Sequence, residues 1–195
     1  HAFTHQLFSW ANKGDGGKYP DDNILSYING TWYTATFNNP TIAAGNSDWN
    51  YFEGEKYKIT DAKITVALPA LVAESVGGTV YFDDMLVKEF DPQGNFTGNM
   101  LSINLNNTDG WNYWSQNSSG TGTASSQTGH TDAGSLYITA STGDCNFSNS
   151  TKLFVPKQNY FYQICGWMKG ENIAANARCM FRIDFISADG VYGRN

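Results

Sequence analysis

The chain has 195 residues, a formal net charge of −6 and a pI near 4.9, and charged residues make up only 15% of it. Too few cations are present to neutralise a row of phosphates, which excludes a nucleic-acid surface, and no apolar run reaches the roughly 18 residues of a membrane-spanning helix. Aromatic residues reach 15%, so a folded globular domain is expected, and no segment has the pattern of a signal peptide.

The hydrophobic pattern predicts one short helix and many short strands. The helix is predicted at residues 20–27. Alternating apolar and polar residues predict strands, in chain order, at residues 31–38, 62–68, 79–90, 135–140, 152–155, 161–169 and 179–186. Turn residues (Gly, Asn, Asp and Pro) separate these strands. The pattern predicts an all-β chain folded as a β-sandwich or jelly roll.

Two segments between the strands are predicted to be irregular. Residues 91–98 contain Asp, Pro, Gly and Asn, which is typical of a linker or a long surface turn. Residues 107–129 are rich in Ser, Gly, Thr and Asn, with Trp111 and Trp114 near the start, and this composition predicts a polar loop. The two halves of the chain on either side of residues 91–98 do not repeat one another.

Four segments carry strand motifs of a known kind. Residues 159–169 read Asn-Tyr-Phe-Tyr-Gln-Ile-Cys-Gly-Trp-Met-Lys, and residues 130–138 read His-Thr-Asp-Ala-Gly-Ser-Leu-Tyr-Ile. The first resembles the Tyr-x-x-Ser-x-Trp-x-Lys strand of jelly-roll carbohydrate-binding modules of the xylan- and glucan-binding type, and the second resembles the Gly-x-x-Ser-Leu-x-Ile strand that precedes it in those modules. Residues 78–87 resemble their closing strand, in which an aspartate follows an apolar run, and residues 111–115 resemble a Gly-Trp-x-x-Trp motif near their N-terminus. The resemblance implies a jelly-roll fold and polysaccharide binding.

The order of these segments differs from the order in the family. The motifs fall in family order only when residues 99–195 are read before residues 1–90. We therefore predict a single, circularly permuted module over residues 1–195. In it, residues 1–90 carry the family's C-terminal strands, residues 91–98 bridge the old termini, and residues 99–195 carry the N-terminal strands. The alternative is two half-modules of a tandem pair, which would have to dimerise or swap halves to close a core.

Side-chain alternation predicts a sugar-binding face. If the apolar residues of 161–169 face the core, Gln163 and Trp167 point outward, and the same reasoning for 179–186 places Arg182 and Asp184 away from the core. Sugars bind to flat aromatic faces and to planar polar side chains. The predicted carbohydrate-binding residues are Trp167, Arg182, Asp184, Gln163, Trp32 and Trp49. The alternatives are a surface ion pair of Arg182 with Asp184 and a loop that covers Trp167.

The resemblance also implies a structural calcium ion. In the related modules an aspartate of the closing strand joins backbone carbonyls around calcium, and Asp83 and Asp84 are the two candidates here. Asp132 and Asp109 are candidate partners in neighbouring loops. The alternative is a strand-end turn with solvated carboxylates.

These features predict a secreted, extracellular, non-catalytic module. It would bind plant cell-wall-type polysaccharide (β-glucan, mannan or xylan) and target a tethered glycoside hydrolase to it, with no nucleic-acid or membrane partner. An enzyme is not expected, because nucleophile-elbow, zinc-protease and phosphate-loop motifs are missing. The alternatives are a structural or adhesive β-sandwich of a surface or fibre protein, a hydrolase using Glu53 and Glu55, and a copper enzyme using His1 with His5 or His130.

Overall fold

The computed structural model describes residues 4–6, 23–28, 31–36, 42–60, 62, 64–149 and 151–187. In these ranges the regular structure is β-strand, apart from one 3-10 turn at Gln116–Ser118. The strands are β1 (Thr4–Gln6), β2 (Asn23–Ile28), β3 (Thr31–Thr36), β4 (Gly45–Glu53), β5 (Tyr57–Lys58), β6 (Ile64–Glu74), β7 (Thr79–Phe90), β8 (Phe96–Ile103), β9 (Trp111–Ser115), β10 (Gly120–Ser125), β11 (Ser135–Ala140), β12 (Asp144–Asn149), β13 (Phe161–Ile173) and β14 (Arg178–Ser187). None of the described segments is a helix long and apolar enough to cross a membrane.

Two antiparallel sheets make up most of the described structure. The five-stranded sheet has the order β1-β14-β6-β12-β9. The seven-stranded sheet has the order β10-β11-β7-β13-β4, with β5 also paired to β13 and β8 to β7. A separate hairpin joins β2 and β3. The predicted all-β fold is confirmed, and the two sheets have the character of a β-sandwich.

The hydrophobic core lies between the two sheets. Phe82 of β7 and Phe181 of β14 meet edge to face, with ring centroids 5.5 Å apart. Gly166 of β13 lies directly against the Phe181 ring, so a side chain at that position would collide with it. Because side chains alternate along each strand, the residues between the inward-facing ones point to the opposite face of their sheet.

A tight turn at residues 91–95 joins β7 to β8. The Asp91 carboxylate accepts hydrogen bonds from the backbone N–H groups of Gln93 (2.9 Å) and Asn95 (2.8 Å). β8 begins directly afterwards and pairs with β7, so the irregular segment is shorter than the predicted 91–98. Both sheets combine strands from the two sides of this turn. The single permuted module stays a prediction.

The predicted helix at residues 20–27 is wrong in its described part. Residues 23–28 form β2, which pairs with β3, and the innermost pair of the hairpin is Ile28 with Thr31. The two residues between them, Asn29 and Gly30, are a strong hairpin signal in the sequence. Cross-strand pairing therefore prevails over a weak local preference for helix.

Two further predictions need correction. Residues 107–129 are not one loop, because they contain β9 and β10. Each is the outermost strand of its sheet. A strand that faces solvent does not require the regular alternation of apolar residues by which buried strands are recognised in a sequence. Residues 152–155 are not a strand: only Phe154 forms a bridge, to Ala67. The Asn149 side chain accepts the N–H groups of Thr151 (2.8 Å) and Lys152 (2.6 Å), which turns the chain before a ladder can form.

Candidate functional site

A β-bulge in β7 shapes the outer face of the seven-stranded sheet. Cys165 of β13 lies opposite Leu86 of β7 and Trp167 lies opposite Asp83, so three steps along β7 match two along β13. The extra residue is Asp84, whose φ of 47° is in the left-handed region. Asp adopts this region more readily than most residues. The bulge shifts the alternation of β7 and places two adjacent carboxylates beside Trp167.

These two carboxylates hold the loop that precedes β11. Asp83 is fully buried, and its carboxylate accepts the backbone N–H groups of His130 (2.7 Å) and Asp84 (2.8 Å). The Asp84 carboxylate contacts His130 Nδ1 (2.8 Å) and accepts the Thr131 hydroxyl (3.0 Å). Burial raises the pKa of Asp83 above its usual value, the two N–H groups oppose this, and the carboxylates of Asp84 and Asp132 add to it.

Four rings form a contiguous group, the aromatic row, on this outer face. The His130 imidazole stacks on the Trp167 indole, with centroids 3.7 Å apart and planes 15° apart. Trp49 meets His130 edge to face at 6.0 Å, and Tyr51 lies 5.5 Å from Trp167. Trp49 and Tyr51 are two residues apart on β4 and therefore share a face, and Tyr51 is the register partner of Trp167. Tyr51 is the most open of these rings, with 42% of its surface exposed.

Polar side chains border the aromatic row on the β7 side. Lys88 Nζ lies 2.6 Å from a carboxylate oxygen of Glu53 and 3.2 Å from the Tyr51 hydroxyl. Partial burial opposes the charged form of Lys88, but its bonds to Glu53 and Tyr51 raise its pKa above the usual value. Gln163 Nε2 donates to the carbonyl oxygen of Gly54 at 2.7 Å. Each of these groups is thus held by a neighbour.

A second polar group borders the row on the same side, farther along β7 and β13. Lys169 Nζ lies 3.5 Å from the Glu171 carboxylate, which also accepts the Tyr81 hydroxyl at 3.3 Å. The rings of Tyr81 and Tyr137 lie 5.5 Å apart. The outer face therefore continues as an aromatic and polar surface from β4 to β11.

The structure divides the predicted binding residues between two sheets. Trp167, Gln163 and Trp49 lie on the outer face of the seven-stranded sheet. Arg182 and Asp184 belong to β14 of the five-stranded sheet, so the prediction that they share a face with Trp167 is wrong. The turn between β13 and β14 carries the chain from one sheet to the other, and local alternation does not reveal this.

Arg182 and Asp184 form a buried ion pair. Arg182 Nε lies 2.9 Å from one carboxylate oxygen of Asp184, and a terminal guanidinium nitrogen lies 2.9 Å from the other. Arg182 is only 3% exposed and Asp184 only 7%, so this is not the surface ion pair of the alternative interpretation. Trp32 lies in β3, and its side chain is outside the described residues.

The five-stranded sheet also holds a buried acid, Glu74, at the end of β6. Its register partners are Asp144 of β12 and Arg178 of β14. Glu74 is 9% exposed, and its Oε1 has no hydrogen-bond partner among the described residues. Burial raises the pKa of Glu74 to about 8, with a further rise from Asp144 that Arg178 and Arg182 partly offset.

Glu74 should make the fold less stable in alkaline solution. The folded protein keeps a proton that the unfolded chain releases at about pH 4.5, so stability falls as pH rises from there through about 8. The loss is at most about 1.4 kcal/mol per pH unit. We expect Glu74→Gln, which is neutral at every pH, to flatten this decline in urea unfolding at pH 5, 7 and 9. A decline equally steep in the variant would contradict the assignment.

The predicted calcium ligands are not gathered into one cluster. Asp83 and Asp84 anchor the His130 loop, whereas Asp132 accepts the side-chain amides of Asn104 (2.9 Å) and Asn106 (2.7 Å). Those bonds lower the pKa of Asp132. Asp109 is exposed, in the turn before β9. Within the described ranges, no three His, Cys, Asp or Glu side chains come together as a metal-ligand group, so calcium at Asp83 or Asp84 would need backbone carbonyls as further ligands.

Carboxylates are the right ligand type for calcium, but those of Asp83, Asp84 and Asp132 already accept hydrogen bonds from N–H or O–H groups. Their arrangement is that of loop anchors. Calcium at these residues therefore stays a prediction. The copper alternative also remains untested: His1 and the His5 side chain lie outside the described residues, and His130 Nδ1 is engaged by Asp84.

Comparisons with known proteins assign no family to the chain. No protein-family model matches it, and no curated protein sequence is significantly similar to it. The resemblance to jelly-roll carbohydrate-binding modules therefore stays a prediction.

Two members of the aromatic row were not predicted as binding residues. The sequence predicts a loop for Trp49 and Tyr51, whose aromatic rings would either plug the sandwich or flank a groove, but both residues lie on β4. The sequence treats His130 only as a possible metal ligand. The alternation of Trp49 with Tyr51 was a usable signal for a strand. No local signal places His130 on Trp167, because that contact depends on the bulge at Asp84 and on the loop that it anchors.

Proposed function

We propose that the protein is a non-catalytic module that binds polysaccharide through the aromatic row. The observation that carries this proposal is the contiguous set of Trp49, Tyr51, His130 and Trp167 on an outer sheet face. The C–H surface of a pyranose ring packs on aromatic side chains, and neighbouring polar groups bond its hydroxyls. Tyr51 is the ring most accessible for this, and Trp167 lies between Tyr51 and the His130 loop.

The charges beside the row favour an uncharged polysaccharide. The two lysines that border it, Lys88 and Lys169, are paired with Glu53 and Glu171. A glycan carboxylate would have to break one of these pairs to obtain a cation. We therefore propose β-glucan, mannan or xylan as the substrate class, with modest affinity, since an open sheet face covers little of a flexible chain.

In this proposal the module serves a larger extracellular enzyme. Binding would raise the concentration of a tethered glycoside hydrolase near its substrate by the effective-concentration effect.

Affinity gel electrophoresis tests the proposal directly. The native protein is run in gels that contain β-glucan, galactomannan, soluble xylan or hydroxyethylcellulose, with polygalacturonate as the acidic comparison. We expect retardation by at least one neutral polymer and none by polygalacturonate. Normal migration in every gel would reject carbohydrate binding and favour the structural or adhesive β-sandwich.

Calcium can be tested apart from sugar binding. A calcium ion at about 100 times its dissociation constant adds about 2.7 kcal/mol, which for a chain of this size is a rise of about 5–10 °C in melting temperature. We expect EDTA to lower the melting temperature of the wild type and of the control Asp48→Asn, an exposed carboxylate outside the predicted ligands, but not of Asp83→Asn. Identical melting of the wild type with calcium and with EDTA would contradict the prediction.

A further inference from the structure

The loop of residues 126–134 is tied down where it meets the aromatic row. The Ser135 hydroxyl donates to the carbonyl of Thr128 at 2.5 Å, and Asp132 accepts the N–H of Gly134 at 2.8 Å. Gly129 has no room for a side chain, because a Cβ there would collide with the backbone oxygens of Asp132 and Gly134. The loop backbone is thus set by its own bonds, independently of the His130 side chain.

His130 is held at two points. Its backbone N–H donates a hydrogen bond to the carboxylate of the buried Asp83. Its ring nitrogen Nδ1 is hydrogen-bonded to the carboxylate of Asp84, the bulge residue with a left-handed backbone conformation. The first contact sets the position of the residue and the second limits rotation of the imidazole about its Cβ–Cγ bond. A ring held in this way can act as a support for its neighbours.

The neighbours of the imidazole are the two indoles of the aromatic row. One face of Trp167 is in parallel contact with His130, and the Trp49 ring meets the same imidazole at an angle of 66°. Within the described part of the chain, the ring contacts of both indoles include His130. His130 is therefore the side chain through which the orientations of the two indoles are linked.

We infer that His130, held by Asp84, is a positioning residue that sets the two indoles in the orientation that takes a sugar chain. This inference rests on the proposed function. The imidazole covers one face of Trp167, so a pyranose ring can use only the parts of the row that His130 leaves open, toward Tyr51 and Trp49. Preorganised rings lose less conformational entropy on binding, which raises affinity without a direct contact from His130.

Three variants separate positioning from simple folding. His130→Ala removes the ring and should weaken binding about tenfold, the effect of losing one such preorganising contact. His130→Phe keeps a flat ring on Trp167 but lacks the bond to Asp84 that limits rotation of the ring, so it should recover only part of the affinity. Asp84→Asn keeps an acceptor and tolerates the left-handed backbone, so it should bind nearly as well as the wild type.

The wild type and the three variants are measured first without sugar and then with sugar. Near-ultraviolet circular dichroism and tryptophan emission of the free proteins report the indole environment, and calorimetric titration with cellohexaose, mannohexaose and xylohexaose reports affinity. We expect His130→Ala to change the spectra and weaken binding, Asp84→Asn to be close to the wild type in both, and His130→Phe to lie between them. Urea unfolding of each variant identifies any loss of fold.

Two results would overturn the inference. Spectra of His130→Ala identical to those of the wild type would show that the indoles do not depend on the imidazole. Changed spectra with unchanged affinity would show that their orientation does not govern binding. If the wild type binds neither the three hexasaccharides nor the polymers, the proposed function is rejected, and so is the role of His130 in sugar binding. The spectra of the free proteins would still decide whether His130 positions the two indoles.

Discussion

We expect the Trp167→Ala variant to lose retardation in every polysaccharide gel that slows the wild type. Trp167 lies at the centre of the aromatic row, between the imidazole of His130 and the ring of Tyr51. Its removal takes away one indole and also the surface against which both neighbours pack. Buried aromatic residues at the centre of a binding site typically contribute at least about 2 kcal/mol, or about thirtyfold in affinity. From a modest starting affinity, such a loss removes detectable binding.

Trp114→Ala is the matched control for this experiment. Trp114 is also a strand tryptophan, 49% exposed, but it lies on β9 of the five-stranded sheet. We expect it to bind like the wild type, whereas Tyr51→Ala should bind more weakly, because it removes the most exposed ring of the row. The opposite result, with binding lost in Trp114→Ala and retained in Trp167→Ala, would move the site to the five-stranded sheet. Matching urea unfolding curves are needed to exclude misfolding.

We expect the Glu89→Ala variant to be strongly destabilised. Glu89 is on β7, and its side chain is 2% exposed. Its carboxylate accepts bonds from Lys157 Nζ (2.8 Å), the Tyr162 hydroxyl (2.8 Å) and the Thr97 hydroxyl (2.9 Å). Removing it leaves the fully buried Tyr162 hydroxyl without this acceptor and the Lys157 ammonium without this partner. Because the Lys157 side chain is 56% exposed and stays solvated, the cost comes mainly from the lost hydrogen bonds and the buried hydroxyl, and we expect about 2–3 kcal/mol.

The measurement is the free energy of unfolding from urea titration, and the melting temperature should fall by about 4–12 °C. Glu89→Gln is the matched control: it keeps an acceptor oxygen and the side-chain volume, so its cost should be clearly smaller. Equal stability of Glu89→Ala and the wild type would show that the cluster adds nothing to the fold. A cost confined to Glu89→Ala would show that the acceptor matters more than the charge.

The pH dependence of the same cluster has a definite sign. Burial opposes ionisation of Glu89, but the bonds from Lys157, Tyr162 and Thr97 outweigh it and hold the pKa below the usual value. A depressed carboxylate pKa gives stability that is present above the unfolded value and is lost as pH falls through the folded one. The wild type should therefore lose this contribution as pH falls below about 4.5, whereas Glu89→Gln, which does not titrate, should show no such loss. Glu74 acts in the opposite direction, because its pKa is raised.

The Glu89 cluster also connects the fold to the candidate site. It joins β7, through Glu89, to β13, through Tyr162. The same two strands carry the bulge at Asp84 and the ring of Trp167 further along. Weaker contact between β7 and β13 at Glu89 would therefore affect the strand register that positions the aromatic row. Binding by Glu89→Ala should be compared with binding by the wild type only at temperatures where both proteins are folded.

Much of the strand content could be read from local patterns. Predicted strands at 79–90 and 135–140 match β7 and β11, and those at 161–169 and 179–186 lie within β13 and β14. The outward direction of Trp167 also followed from alternation. What failed was each inference that needed a partner strand: the helix at 20–27 became a hairpin strand, and the edge strands β9 and β10 were read as a loop.

The sequence by itself determined the all-β class. It also determined which side chains of β13 and β14 alternate with the apolar ones, because side-chain direction in a strand has a period of two and depends only on neighbouring residues. Only the tertiary structure decided that Trp167 and Arg182 lie on different sheets, since sheet membership depends on which distant strands pair. It also decided that His130 stacks on Trp167. That contact needs the bulge at Asp84, and a bulge arises where the registers of two paired strands disagree, which no single segment encodes.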